Sequence, residues 1–402
     1  MPIIQSVTFR KVLNSHAEFT SEYIVELESG ALGIAASPKG ETISIYEDRK
    51  VSASAQQLIA ALEQDCLGEE MEQADFDQWL HNRINRFGRD NCFALSLAFF
   101  NATTVHTSVL ELWDKEEQAL NPPHLCLNFL NGGWHAYTNP VLSDFPEFLL
   151  VSRAGRVEEA ILKHHELQRR VREKLLQQPY ETVGGNPVHR FATADNRECI
   201  DFLCRVLEEA GMTRDFDLMI DASAGDLWSD GKYNLSITDK ASYSTEEFHN
   251  YWHKLIKEYR IGFLEDPFSE TDTLAWQQLT ASARDCCIVG DNFYSSDAER
   301  IERGGATHCS GAVIIKPNQA GSVTAVRRAL ETAQDNRQTV ITSHRSISTE
   351  ETFLSLLTCL YDVRYIKIGP LFTDYSSVVR LNAILRLTER SVLCSPKPEL
   401  AP

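Results

Sequence analysis

Several charged residues sit at the ends of short apolar runs, and they carry the chemistry this chain could do. FDLMID ends at Asp221, IGFLED brings Glu265, CCIVGD ends at Asp291 and GAVIIK ends at Lys316. TVITSHRS then places Ser343, His344, Arg345 and Ser346, and VRYIKIG carries Lys367. Three carboxylates left unpaired would repel one another and raise each other's pKa. A hard divalent cation with oxygen ligands resolves that conflict, and magnesium is the common choice. Each acid could instead merely cap the helix that follows it, but three in the same position favour a shared cation. Lys316 and Lys367 stand on the opposite side. Two lysines converging near a metal should depress each other's pKa, so that one is neutral near pH 7 and acts as a base. Arg345 beside the Ser346 hydroxyl suits a phosphate or carboxylate, which a planar guanidinium grips in bidentate fashion. The implied reaction is proton abstraction next to a metal-bound carboxylate, through an enolate.

The elements that must position these residues follow from the pattern between them. Each apolar run is followed by a helix-like segment: TEEFHNYWHKLIKEY, LAWQQLTASARD, VTAVRRALETAQD and TEETFLSLLTCLYD. Strands alternating with amphipathic helices predict a parallel sheet covered by helices. Repeated right-handed crossovers favour closure into a (β/α)8 TIM-like barrel, whose chemistry sits at the carboxyl ends of its strands. Its first strand is LCLNFLNGGWHAY, with Gly132–Gly133 turning the chain so that His135 leaves the strand end; that histidine could be structural or functional. DFPEFLLVS then offers Glu147 within an apolar run. The stretch 180–198 reads as a long irregular loop.

Ahead of the barrel, SVTFRKV, SEYIVELES, ALGIAASP and TISIYED predict a four-stranded β-meander. SAQQLIAALEQDCL, ADFDQWLHNRINRF and NCFALSLAFFNATTVH predict helices. The fold class is therefore α/β, with an N-terminal α+β domain over 1–120 and the barrel over 121–402. The boundary falls at ALNPPH, where two prolines interrupt both patterns.

The totals limit the alternatives. A net charge of −18 without any basic block argues against nucleic acid as a partner. No apolar run reaches the roughly 18 residues of a membrane helix, and MPIIQSVTFRKV lacks a signal-peptide core. Ten scattered cysteines without a CxxC pair read as buried thiols in a reducing cytosol rather than as disulfides or a zinc site.

Together the motifs LNGGWH, FLEDPF, VGDNF, IIKPNQAGSVT and SHRSISTEETF resemble the enolase family over nearly the whole chain. A lysine base beside magnesium is that superfamily's known arrangement. The resemblance implies that Asp221, Glu265 and Asp291 are metal ligands, Lys316 the catalytic base and Lys367 a lysine contacting the substrate. It places His135, Glu147 and Ser343–Ser346 around the substrate and its phosphate, with Glu265 and Asp291 also lining that site. It further implies two Mg2+ ions, a homodimer or larger assembly, and dehydration of 2-phosphoglycerate to phosphoenolpyruvate.

Three motifs depart from the family. Its GDEGG loop, whose glutamate expels hydroxide, reads ETVGGNP here and puts Val183 at the acid's place. Its mobile SGASTG lid reads 37-SPKGETISIYE-47, with Ser37 or Thr42 as stand-ins for a ligand to the second metal. Its DSRGNPT reads NSHAEFT. With the acid gone, Glu147 is the first candidate to replace it and Glu181 the second. The chain reads as a lyase acting on 2-phosphoglycerate or a close phosphorylated or phosphonylated hydroxy acid. The alternative is an enolase-like pseudoenzyme that binds metal and ligand without turnover.

Overall fold

A computed structural model describes residues 1–40, 44–47, 53–105, 120–132, 138–183, 186–192, 195–371 and 374–393. His135 and Thr42 lie outside the described residues.

The first strands, β1 (Ile4–Leu13), β2 (Phe19–Leu27) and β3 (Leu32–Ala36), form an antiparallel meander. Tyr23, Val25 and Leu27 alternate onto its inner face. They pack on a layer of helices: α1 (Ala55–Asp65), α2 (Gln73–His81), α3 (Ile84–Phe87) and α4 (Arg89–Thr104). Helix α4 approaches so closely that a Cβ at Gly33 would lie 1.9 Å from the Ala98 carbonyl oxygen. The expected fourth strand is not formed in its described part. Residues 44–47 make a turn, because the Ser44 hydroxyl accepts the Tyr46 amide at 3.0 Å and the Ser44 carbonyl accepts Glu47 N at 3.1 Å. Such local bonds compete with a sheet ladder.

The remaining chain builds the barrel. Strands β4 (His124–Asn131) and β5 (Glu147–Ser152) come first, then helix α5 (Val157–Leu175), a hairpin of β6 (Tyr180–Val183) and β7 (Asn186–His189), and helix α6 (Arg197–Ala210). Strand β8 (Phe216–Asp221) is followed by a small sheet of β9 (Trp228–Ser229), β10 (Lys232–Leu235) and β11 (Ala241–Tyr243), then α7 (Thr245–Tyr259). Next come β12 (Phe263–Glu265), α8 (Thr273–Ser282), β13 (Cys287–Gly290), α9 (Ala298–Ala306), β14 (Ala312–Ile315), α10 (Pro317–Ala320) and α11 (Val323–Asp335). The chain closes with β15 (Thr339–Ser343), α12 (Phe353–Leu360), β16 (Tyr365–Lys367) and α13 (Tyr375–Leu393).

Eight strands close in the order β4-β5-β8-β12-β13-β14-β15-β16. One feature corrects the all-parallel expectation: β5 runs antiparallel to both β4 and β8. A parallel return needs a crossover, usually a helix, and the β4–β5 connection carries none among its described residues. Reversal brings Glu147, the first residue of β5, to the same mouth as the last residues of the other strands. The stretch 180–189, expected to be irregular, is instead the β6–β7 hairpin.

The barrel interior is a separate buried cluster of Cys126, Leu149, Val151, Met219, Phe263, Val289, Ala312, Ile314 and Ile341. Their strand neighbours, such as Ile220, Leu264, Val313 and Ile315, point outward into the helix layer. The small domain is fastened to the barrel at polar points. Ser96 Oγ accepts the Val323 amide at 2.9 Å and Asp77 accepts the Thr324 amide at 2.8 Å, satisfying the start of α11. Asn318 donates to Asp90 at 2.6 Å.

Candidate active site

Strand parity decides which side chains reach the mouth. Side chains two residues apart on a strand share a face. Moving two residues along each strand from an interior side chain therefore gives Asn128, Glu147, Asp221, Glu265, Asp291, Lys316, Ser343 and Lys367. All eight line a cavity of about 440 Å3 or bond to a group that does. His16, His344, Arg345, Ser346 and Asp374 complete much of its rim. The structure thus brings Asp221, Glu265, Asp291, Lys316, Lys367, Glu147 and Ser343–Ser346 together, and leaves Ser37 and Glu181 off the cavity wall.

Lys367 is the centre of one cluster. Its ammonium lies 2.7 Å from both Glu265 oxygens, 2.8 Å from Glu147 Oε2 and 3.1 Å from Asp221 Oδ2. Burial works against this charge, but Asp221, Glu147, Glu265 and Asp291 outweigh it and hold the Lys367 pKa well above the usual lysine range. This corrects the expectation of mutual depression as far as Lys367 is concerned, because carboxylates and not another lysine are its direct contacts. Glu265, fully enclosed, is pushed well above the ordinary carboxyl range by burial and by Asp221, against the pull of Lys367. Asp221 goes the other way. Burial would raise it, but Lys367, Lys316 and bonds from Lys367 and Ser223 hold it below its usual value.

Lys316 makes the second cluster by donating to Asp291 Oδ2. Its own backbone N–H donates to Ser296 Oγ at 2.8 Å, fixing the turn from β14 into α10. Asp291 is steered by Asp266, which the sequence reading passed over although it directly follows Glu265. Asp266 is 3% exposed and accepts the amides of Asp291 at 3.0 Å and Asn292 at 2.7 Å. It holds φ +44°, a costly conformation for a non-glycine residue and one that concentrates at working sites. Burial and the neighbouring Asp291 and Asp221 push its pKa well up.

Arg345 is held by the small domain. Arg345 Nη1 lies 3.3 Å from Glu47 Oε2, with side chains 5% and 9% exposed. Glu47 is itself tied by the Gln319 amide at 3.2 Å and the Ser44 N–H at 3.2 Å. Gly40 has no room for a side chain, since a Cβ there would lie 1.5 Å from Arg345 Nη2. Lys39 and Ile347 exchange backbone bonds at 2.8 and 3.1 Å. Ser15 N donates to the Ser348 carbonyl at 2.7 Å. Glu47, Gly40 and the 14–18 turn were missed because nothing local in the sequence links them to residues 343–349. Ser37 is buried, with its amide bonded to Ser21 and its carbonyl to Thr20, so it does not line the cavity. His344 Nδ1 lies 3.8 Å from Asp374. Burial, Arg380 and the two lysines hold the His344 pKa well below the ordinary histidine range, so its ring is neutral.

Glu147 is engaged on both oxygens, accepting from Asn128 at 3.1 Å and from Lys367. Val183 ends β6 on an exposed hairpin and is 42% exposed. Neither Val183 nor Glu181 is on the cavity wall.

Comparison with known proteins gives the arrangement its context. The profile described as "Enolase, C-terminal TIM barrel domain" matches residues 119–393. This chain belongs to the enolase family. It is 29% identical over 394 residues to the enolase of Ehrlichia ruminantium (strain Welgevonden), covering 92% of each chain. It is 28% identical over 414 residues to enolase 2 of Pseudomonas syringae pv. syringae (strain B728a), covering 96% of this chain and 95% of that one.

Enolases as a family use magnesium, so the donor set is tested against that ion. Among the described residues no three His, Cys, Asp or Glu side chains gather closely enough to grip one ion. The two ammonium groups stand among the carboxylates instead. The donors nonetheless fit a hard cation. Asp221, Glu265, Asp291 and Glu147 offer only oxygen, and two lysines leave their charge undercompensated. Asp291 Oδ1 is buried and finds no hydrogen-bond partner among the described residues.

All nine cysteines among the described residues are free. No helix of the described residues is long and apolar enough to cross a membrane.

Proposed function

We infer that this enolase-family protein is a magnesium-dependent carbon–oxygen lyase that takes 2-phosphoglycerate or a close phosphorylated or phosphonylated hydroxy acid. The observation that carries this reading is the shared mouth of Lys316, Lys367 and the carboxylates beside Arg345, within one cavity of about 440 Å3. Asp221, Glu265 and Asp291 would hold the ion, which supplies positive charge to the substrate carboxylate as it becomes an enolate. Lys316 removes the α-proton once a substrate displaces its contact with Asp291. Lys367, kept charged by its neighbours, binds the substrate's negative charge. Arg345 and Ser346 take the phosphate, and Glu47 aims the guanidinium.

A second reading, a binding protein without turnover, is favoured by the empty acid position. Val183 cannot donate a proton, and Glu147 is engaged by Asn128 and Lys367. One experiment separates the two. The protein is incubated with 2-phosphoglycerate and Mg2+ in deuterated buffer, following phosphoenolpyruvate and α-deuterium together. The lyase reading expects both, with dehydration slower than exchange. Neither signal, despite saturable binding of 2-phosphoglycerate, establishes the binding protein. The family resemblance also supports a cytoplasmic homodimer, which light scattering of the purified chain tests for its dimeric part.

A further inference from the structure

Helix α7 lies on the outside of the barrel, and its histidines do not line the cavity at the mouth. Its residues His249 and His253 are one turn apart and therefore share a face. Their ring centres are 4.7 Å apart with planes tilted by 59°. The His249 ring also lies along Phe268, with centres 6.4 Å apart and planes at 17°, which fixes its orientation. His249 Nε2 is enclosed and finds no hydrogen-bond partner among the described residues. A buried polar atom without a partner commonly marks a water or an ion.

The neighbour on α8 adds a third donor. Ser282 Oγ is 2.6 Å from the Gln278 carbonyl, to which its single proton is directed, and 2.9 Å from His253 Nε2. Its lone pairs therefore face the histidine.

We propose that His249 and His253 form a chelating site for a divalent transition ion of the Cu2+, Zn2+ and Ni2+ class, distinct from the oxygen site at the barrel mouth. The spacing agrees with this. An imidazole nitrogen sits about 2.0–2.1 Å from such an ion, which puts the ring centre roughly 3.2 Å away. Two centres 4.7 Å apart then subtend about 95° at a shared ion. Imidazole donors select this class over Mg2+, and Cu2+ stands highest in it. Among the described residues no third His, Cys, Asp or Glu joins the pair, so Ser282 and water complete the shell. His253 binds through Nε2 as the neutral tautomer whose one ring proton sits on Nδ1, so the ion takes the Nε2 lone pair without net loss of a proton.

The test uses the full chain, stripped with a chelator and given one equivalent of Cu2+ in excess Mg2+. Electron paramagnetic resonance should show one copper coupled to two imidazole nitrogens, with no displacement by Mg2+. His253→Gln and His249→Gln should each lose that signal while leaving any turnover of 2-phosphoglycerate unchanged. His253 does not support the Phe268 contact, so its variant decides the matter alone if His249→Gln folds poorly. A copper spectrum retained in His253→Gln, or coupling to a single nitrogen in the unaltered protein, would overturn the assignment.

Discussion

The two sides of the barrel mouth are built differently. On one side Asp221, Glu265, Asp291, Lys316 and Lys367 stand at the ends of β8, β12, β13, β14 and β16, each two residues beyond a side chain in or packed against the interior cluster. On the other side Val183, which the resemblance puts at the acid's place, ends β6 on an exposed hairpin whose described residues do not line the cavity. Side chains on strands are placed by a register that cannot slip by one residue without turning the core outward. A hairpin on the surface carries no such penalty, and its residues can change without harm to the fold. The residues that resemble the family's rest on the packed barrel, and the motif that departs from the resemblance rests on the surface hairpin.

The sharpest way to break this comparison is at Lys316. Lys316→Ala should reduce α-proton exchange by at least about 10²-fold, the usual contribution of a positioned base, while the fold is retained. Exchange that survives in that variant would place the base elsewhere and undo the strand side of the contrast.

The hairpin side is probed by putting the acid back. Because residue 183 is 42% exposed and off the cavity wall, Val183→Glu alone should change dehydration by less than about threefold, far below the 10²–10⁴ typical of a well-placed acid. Glu147→Gln should instead remove most of whatever dehydration the protein has. Full recovery in Val183→Glu, measured as phosphoenolpyruvate formation, would show that the hairpin folds over the mouth during turnover.

A smaller effect is expected at Arg345. Glu47→Ala frees Arg345 Nη1 from the contact at 3.3 Å and should raise KM about tenfold with little change in kcat, equivalent to about 1.4 kcal/mol of lost orientation. Glu47→Asp should recover part of the loss. A lower KM in Glu47→Ala would mean that Glu47 competes with the substrate anion rather than orienting its partner.

A last effect, on stability rather than turnover, concerns the outer side of the barrel wall. His164 packs edge-on against Phe129 with ring centres 5.0 Å apart, and burial lowers its pKa from 6.5 to about 3. Between those values the unfolded chain takes up a proton that the folded chain refuses. Stability should therefore fall as pH drops from 6.5 towards 3, by at most about 1.4 kcal/mol per pH unit from this group. His164→Leu should flatten that limb in urea titrations at successive pH values. An unchanged slope would assign the acid sensitivity to other groups.

Much of this molecule was legible in the chain alone. Apolar runs ending in Asp221, Glu265, Asp291, Lys316 and Lys367 disclosed the barrel and which strand ends meet at one mouth. Hydrophobic alternation is local, and strand ends in such barrels converge by topology. The sequence also determined that residue 183 itself supplies no acid, since a valine side chain has no proton to donate. What only the tertiary structure decided depends on contacts between distant segments. The reversal of β5, which sends Glu147 to the mouth, is settled by pairing with β4 and β8. The charge on Lys367 is set by three carboxylates that touch it from other strands. The hold of Glu47 and Gly40 on Arg345 joins residues about three hundred positions apart. Electrostatic and steric effects act through space over a few ångströms, and no local pattern records which distant groups folding will bring within that range.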